Sequence, residues 1–221
     1  MIKEYNKDHL DKDINTEEKC VEYTGLTYKD VEDLTGFPAI IDTIKYAEVK
    51  IGGSYPHIEV EIRSSTEKFY YFLTITVGLN QIYNREIRSD LYRGGLSGKL
   101  IIHQAKHGLY HGLDYIICQA YGDYDSRGEW PGYAIWGKLG FLPLGIKANN
   151  LISSVISEFN AEREYDEKHP QYVTRIDQLQ ATQDGNNHWV RKGKTWLAKL
   201  TLKTNSLSLQ ILDQYQKSRG L

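Results

Sequence analysis

The segment YRGGLSGKLI at residues 92–101 places three glycines and a serine directly before a run with helical spacing. A glycine-rich turn that opens a helix exposes backbone N–H groups, and the helix dipole adds positive potential, so such a turn can bind phosphate. A tight strand-to-helix turn without a ligand explains the glycines equally well. The segment fits neither the Walker phosphate loop nor the Gly-x-Gly-x-x-Gly dinucleotide loop.

Three histidines follow in the same segment, at positions 103, 107 and 111. Histidines one helical turn apart lie on one face and can share a metal ion. The neighbouring sequence supplies no carboxylate or cysteine pattern that would complete the ligand set. We therefore expect no metal site from the sequence.

Composition limits the classes of protein to which the chain can belong. It has 221 residues, 40% of them hydrophobic, and a formal charge of −2 from 27 basic and 29 acidic residues. A generic nucleic-acid-binding protein would carry a clear basic excess. The two cysteines, Cys20 and Cys118, form neither a disulfide framework nor a zinc motif. No signal peptide or long apolar segment is visible, so we expect a protein of the reducing cytoplasm, without a membrane partner.

The elements around the glycines follow an alternating order. Residues 58–64 alternate apolar and charged side chains, and residues 69–77 are aromatic and β-branched, so both predict strands. Residues 84–92 predict a further strand that leads into the glycines. Apolar Leu100, Ile101, Ala105 and Leu109 then predict a helix with one buried face, and Gly112 is its expected C-cap. Residues 114–122 predict the next buried strand, which completes a βαβ unit.

The segments before and after this unit have less regular hydrophobic patterns. Residues 20–26 suggest a short strand, Thr27 and Asp30 open a short helix, and residues 131–141 suggest another. The segment 181–188 is expected to be a loop, residues 195–202 a strand and residues 206–218 a closing helix. We divide the chain into a polar segment (1–19), a core (20–144) and a C-terminal strand and helix extension (145–221).

Two motifs resemble the GNAT superfamily, the Gcn5-related N-acetyltransferases. The family's loop reads Gln/Arg-x-x-Gly-x-Gly/Ala, and residues 92–97 match it with Gly95 at the central glycine and Ser97 at the second small position. Tyr92 departs from the pattern. The strand at 112–117 and the Lys-Leu-Gly-Phe ending at 138–141 resemble the family's following elements at suitable spacing. The resemblance covers about residues 58–144.

The resemblance implies an α/β fold with a mixed, mostly antiparallel central sheet flanked by helices. It also implies acetyl-CoA as cosubstrate, lying between two splayed strands, with its pyrophosphate on the loop. The implied cofactor-binding residues are Tyr92, Arg93, Gly94, Gly95, Leu96, Ser97, Gly98 and Lys99.

Catalysis in the family is a direct transfer of the acetyl group to an amine, with a carboxylate as frequent base and a tyrosine as frequent acid. Glu86 is our candidate base, and Asp90, Asp123 and Glu129 are the alternatives. Trp136 stands at the usual tyrosine position, and an indole cannot serve as that acid. Tyr133, Tyr124 and Tyr121 are the possible substitutes.

Two interpretations of function stay open. One is a GNAT-type acetyltransferase for an amine of unspecified class, such as a cationic antibiotic, a polyamine, a protein lysine or a tRNA. The other is a catalytically inactive GNAT-fold binding or regulatory protein. The C-terminal extension of this chain resembles those of divergent GNAT-like proteins of phage and mobile elements. This resemblance implies a possible host-protein partner. The sequence indicates no oligomeric state.

Overall fold

A computed structural model describes residues 14–40, 44, 47–64, 69–88, 95–122 and 134–221. Within these residues the chain forms seven α-helices and seven strands, and the strand pairs around residues 48–88 and at 142–143 with 198–199 are antiparallel. The predicted mixed, mostly antiparallel α/β fold is therefore confirmed. The chain divides into two compact units, with the boundary between Ile117 and Cys118.

The first unit contains the predicted βαβ region. Its elements are α1 (Glu17–Thr24), α2 (Tyr28–Thr35), β1 (Glu48–Gly52), β2 (His57–Ser64), β3 (Phe69–Thr76), β4 (Gln81–Arg88), α3 (Leu96–Tyr110) and the first half of β5 (Tyr115–Ala120). The strands follow the order β1-β2-β3-β4-β5. The helix α3 thus connects two strands that are neighbours in the sheet.

The alternation of β2 determines which face of the sheet is buried. Ile58, Val60 and Ile62 are at most 1% exposed, whereas Glu59 and Glu61 between them are half-buried. All five of these residues pair with β3 residues in an unbroken antiparallel register. Such alternation is the expected pattern of a strand with one covered face. Residues 73–76 of β3 are buried without a break, so this end is covered on both faces.

Two helices close over the buried face of the first unit. Thr27 and Asp30 form the predicted capping box of α2, which ends at Gly36. In α3 the predicted core residues Leu100, Ile101 and Ala105 are buried, but Leu109 is 38% exposed. The prediction for Leu109 is wrong because the buried face continues through Gly108 instead.

A buried polar network joins α2, α3 and the sheet. The Nε2 of Gln104 lies 3.0 Å from the carbonyl oxygen of Leu34 and 3.0 Å from the hydroxyl of Tyr71. The Asn84 amide donates to Oε1 of Gln104 at 2.8 Å, and Tyr71 donates to Asn84 at 2.7 Å. Buried amides must be paired to be tolerated, so this network fixes how α3 is seated.

The second unit contains the C-terminal elements. They are the end of β5, a 3-10 helix (Trp136–Leu139), β6 (Leu142–Pro143), α4 (Ile146–Glu162), α5 (Ile176–Ala181), α6 (Gln183–Lys192), β7 (Trp196–Thr201) and α7 (Leu207–Arg219). Here β7 lies between β5 and β6 in the strand order. The strand β7 and the closing helix α7 confirm the predictions for these segments.

Two local predictions are wrong. Residues 20–26 do not form a strand: most of them belong to α1, whose N-cap Thr16 accepts a hydrogen bond from the amide of Lys19. Residues 183–188 are not a loop but the first part of α6, which Thr182 caps. The short helix predicted within 131–141 is the 3-10 helix. No helix in the described part of the chain is both long and apolar enough to cross a membrane.

Candidate functional site

The described part of the glycine cluster forms the start of α3. Gly95 is the N-cap, in a left-handed conformation with φ of 66° and ψ of 19°. No side chain caps this end among the described residues, and the first turn contains no acidic residue. The first amides of a helix have no partner within the helix, so they are available to an anion. The predicted site residues Tyr92, Arg93 and Gly94 lie outside the described residues.

The four remaining loop positions have different surroundings. Leu96 and Gly98 are buried, Ser97 is half-buried and Lys99 is exposed. The amide of Lys99 donates to the carbonyl of Gly95 at 3.1 Å, which closes the first turn. Leu96 therefore belongs to the core, whereas Ser97 and Lys99 are the side chains that can meet a ligand at this end.

The strand before the loop is interrupted next to the candidate base. Phe72 pairs with Glu86 and Leu73 pairs with Asn84, so Arg85 is an extra residue in β4. Such a β-bulge bends a strand and re-aims its side chains, and bulges are over-represented beside active sites. Glu86 is half-buried and follows the bulge directly. Glu86 lies on the same face of the sheet as its partner Phe72. Asn84, which is hydrogen-bonded to Gln104 of α3, lies on the opposite face.

The extra residue is itself anchored to the sheet. The Nε of Arg85 donates to Oγ1 of Thr74 at 2.8 Å, and its guanidinium lies over the rings of Phe72 and Tyr83, at 5.4 and 5.9 Å from their centroids. A guanidinium over an aromatic face is attracted by the ring's electron density. These contacts stabilise the bulge and hold the backbone before Glu86 in place.

Two of the three candidate acids and all three alternative bases lie outside the described residues: Tyr124, Tyr133, Asp90, Asp123 and Glu129. Among the others, Tyr121 is 44% exposed at the end of β5. Each of these assignments stays a prediction.

Trp136 and its neighbours in the second unit have packing roles. Trp136 is 6% exposed and contacts Phe141 edge to face at 5.0 Å between ring centroids. A Cβ atom added at Gly137 would lie 2.4 Å from Oε1 of Gln180 and 2.8 Å from Ile176. Close packing against α5 therefore explains why this segment contains a glycine, without any ligand.

The histidine stripe meets a carboxylate that the sequence analysis missed. Asp33 of α2 lies beside His103 and His107, and the three donor atoms are all within 4.8 Å of one another. The carboxylate that the neighbouring sequence does not supply therefore comes from α2. The partner comes from another helix, so no local sequence signal identifies it. His111 lies 3.5 Å from Asp30, which belongs to the capping box instead.

The pKa values of two groups are shifted, those of His103 in the stripe and of Asp30 beside it. Burial lowers the pKa of His103, and the neighbouring His107 lowers it further, while Asp33 acts in the opposite direction. Burial raises the pKa of Asp30, but hydrogen bonds from Thr27 outweigh burial, so that the net pKa is lowered. The first shift favours a neutral imidazole at His103, and the second keeps Asp30 ionised at the cap of α2.

A concave surface lies in the second unit. It is a cleft of about 530 Å³, lined among others by Phe159, Arg163, Tyr165 and Asp184. The Arg163 guanidinium lies 4.0 Å from the centroid of the Phe159 ring. An aromatic wall with a nearby cation is suited to binding small molecules or side chains.

The chain matches no protein-family model, no curated protein and no solved structure.

Proposed function

We propose that the chain is an acyl-CoA-dependent N-acyltransferase that uses acetyl-CoA as its donor and an amine as its acceptor. The observation that carries this proposal is the start of α3 at Gly95, which follows β4 in the chain and which no side chain of the described residues caps. A helix N-terminus of this kind suits the pyrophosphate of coenzyme A. Gly95 is the central glycine of the GNAT-like motif, and the order β4, α3, β5 agrees with the same interpretation.

The chemistry requires a base near the acceptor. The amine nitrogen attacks the thioester carbonyl, the new C–N bond forms, and the C–S bond breaks to release coenzyme A as a thiol. Glu86 would accept the proton that the amine loses, because it is half-buried and follows the bulge in β4. Tyr124 and Tyr133 remain our candidates for protonating the departing thiolate.

The second candidate is a catalytically inactive binding or regulatory protein of the same fold, including an effector that acts on a host protein. The burial of Trp136 favours it, because this residue occupies the family's tyrosine position and packs in the core. The cleft beside Arg163 offers a place for a partner's side chain. We propose the cytoplasm as the compartment in both cases, since Cys20 and Cys118 are free thiols.

Release of free thiol distinguishes the two candidates. The purified protein is mixed with acetyl-CoA and a panel of polyamines, aminoglycosides and lysine peptides, and the thiol is detected with a chromogenic disulfide. An acyltransferase releases thiol in proportion to one acceptor class, and mass spectrometry finds that acceptor heavier by an acetyl group. If acetyl-CoA binds but no acceptor accelerates thiol release, the result supports the inactive binding protein.

A further inference from the structure

We propose that Asp33, His103 and His107 form a binding site for a divalent transition-metal ion of the zinc class, between α2 and α3. This site is separate from the proposed acyltransferase chemistry and does not depend on it. Two imidazoles and one carboxylate are a known ligand set for such ions, and they leave positions open for water or a further ligand.

The three donor atoms lie within 4.8 Å of one another and must move closer together to hold an ion. Nε2 of His103 lies 3.8 Å from Oδ1 of Asp33, and Nδ1 of His107 lies 3.9 Å from Oδ2. Donor atoms around a tetrahedral zinc ion are roughly 3.3 Å apart, given zinc–nitrogen bonds of about 2.0 Å. The two imidazole rings are stacked with centroids 4.3 Å apart, so both present nitrogen atoms toward the same carboxylate.

An unsatisfied nitrogen points to a missing ligand. Nε2 of His103 is buried from solvent and has no hydrogen-bond partner among the described residues. Asp33 at 3.8 Å is too far away to serve as that partner. A buried polar atom without a partner costs free energy, and an ion bound between the histidine and the aspartate would remove that cost.

The scaffold holds the ligands in place from both sides. His103 and His107 are one turn apart on α3, and the neighbouring Gln104 is bonded to the carbonyl of Leu34, the residue after Asp33. The end of α2 is thus fixed to α3 at the ligands themselves. Rigid positioning of ligands on helices favours metal affinity, because little order is lost on binding.

One cation competes for the carboxylate. Lys29 donates to Oδ1 of Asp33 at 2.5 Å, although its side chain is 66% exposed. An exposed lysine contributes little as an ion pair and can move into water when a metal ion arrives. Lys29 also repels a divalent ion while it stays. Its removal should therefore strengthen metal binding, an effect that a merely structural contact would not produce.

The test uses the whole chain after treatment with a chelator. Zn²⁺ is titrated by calorimetry, and Co²⁺ is titrated by its visible absorption, which reports the ligand field. We expect saturable binding of one ion per chain. Asp33→Asn and His107→Asn should each weaken binding by about tenfold or more, since each removes one ligand. Lys29→Ala should strengthen binding a few-fold.

His111→Asn is the matched control, because His111 lies on the same stripe but faces Asp30. It should bind with unchanged affinity. The proposal is overturned if neither the natural chain nor Lys29→Ala binds Zn²⁺ saturably at micromolar concentrations. It is also overturned if Asp33→Asn, with an unaltered circular dichroism spectrum, binds as tightly as the natural chain. Binding that His111→Asn abolishes while Asp33→Asn does not would place the ion elsewhere and overturn it as well.

Discussion

At the residue scale, Glu86 is the side chain on which the proposed chemistry depends most. Glu86→Gln keeps the size of the side chain but removes its ability to accept a proton. We expect kcat for the best acceptor to fall by about 10² to 10⁴-fold, the usual contribution of a general base, with acetyl-CoA affinity unchanged. Steady-state thiol release and calorimetry measure the two quantities.

The control for Glu86 is another carboxylate in the same sheet. Glu48 of β1 has a 41% exposed side chain and lies 3.4 Å from Lys50. Glu48→Gln should leave kcat unchanged. Equal losses in both variants would show that Glu86 affects the sheet as a whole, and unchanged kcat in Glu86→Gln would remove it as the base.

The two thiols provide a further residue-scale prediction. Burial raises the pKa of Cys118 well above its usual range, and burial also raises the pKa of Cys20 against the opposing effect of its side-chain hydrogen bond with Thr24. Because only a thiolate reacts readily, we expect neither thiol to react with a chromogenic disulfide at neutral pH until the chain is unfolded. Rapid labelling of the native protein would contradict this.

The same shifts have a defined effect on stability. A thiol whose pKa is raised by folding stabilises the native state fully below its unfolded pKa of about 8.5, and this stabilisation is lost as pH rises. The free energy of unfolding should therefore fall more steeply above that pH in the natural chain than in Cys118→Ala. Urea titrations at neutral and alkaline pH measure the difference.

At the scale of elements, the contact of α3 with the sheet depends on Gln104. It is fully buried, and Gln104→Leu would leave the Leu34 carbonyl and the Asn84 amide without this partner. We expect a loss of about 2 to 4 kcal/mol in the free energy of unfolding, the cost of unpaired buried groups. Urea denaturation measures it. Lys106→Leu on the exposed face of α3 should change it by less than about 0.5 kcal/mol, and equal losses would contradict the role of the network.

Elements with a clear period could be predicted, and elements without one could not. The alternation in β2 agrees with burial because one face of the strand is covered, and the apolar stripe of α3 agrees at Leu100, Ile101 and Ala105 but not at Leu109. The sequence of α1 predicts a strand because its short apolar run fits either period, but the segment is a helix that Thr16 caps. The sequence of α6 contains a glycine and two asparagines, which are poor helix formers, but the cap at Thr182 and the complete burial of Trp189 outweigh them.

At the scale of the whole molecule, the two candidate sites differ in how far sequence could identify them. The glycine loop is contiguous, so its motif could be read directly, and the structure describes the part from Gly95 onward. The proposed metal ligands come from two helices, α2 and α3, with four strands between them in the chain. The histidine spacing was visible, but Asp33 looked like any other carboxylate because only the packing of α2 on α3 brings it to the histidines.

The glycine loop also has a matched control within the same helix. Gly95 and Gly112 flank α3, with φ of 66° and 69°, and a Cβ atom at either would meet nothing within 4 Å. Gly95→Glu and Gly112→Glu therefore introduce the same charge and the same backbone strain at opposite ends. Only the first places a carboxylate where the pyrophosphate is proposed to bind, and it would repel the phosphates there.

Calorimetric titration with acetyl-CoA of the natural chain and these two variants tests the central claim most directly. We expect saturable binding to the natural chain, similar binding to Gly112→Glu, and binding weakened by about tenfold or more in Gly95→Glu. If the folded natural chain binds neither acetyl-CoA nor free coenzyme A, or if Gly95→Glu binds as tightly as Gly112→Glu, the start of α3 is not a coenzyme A site and the acyltransferase proposal is wrong.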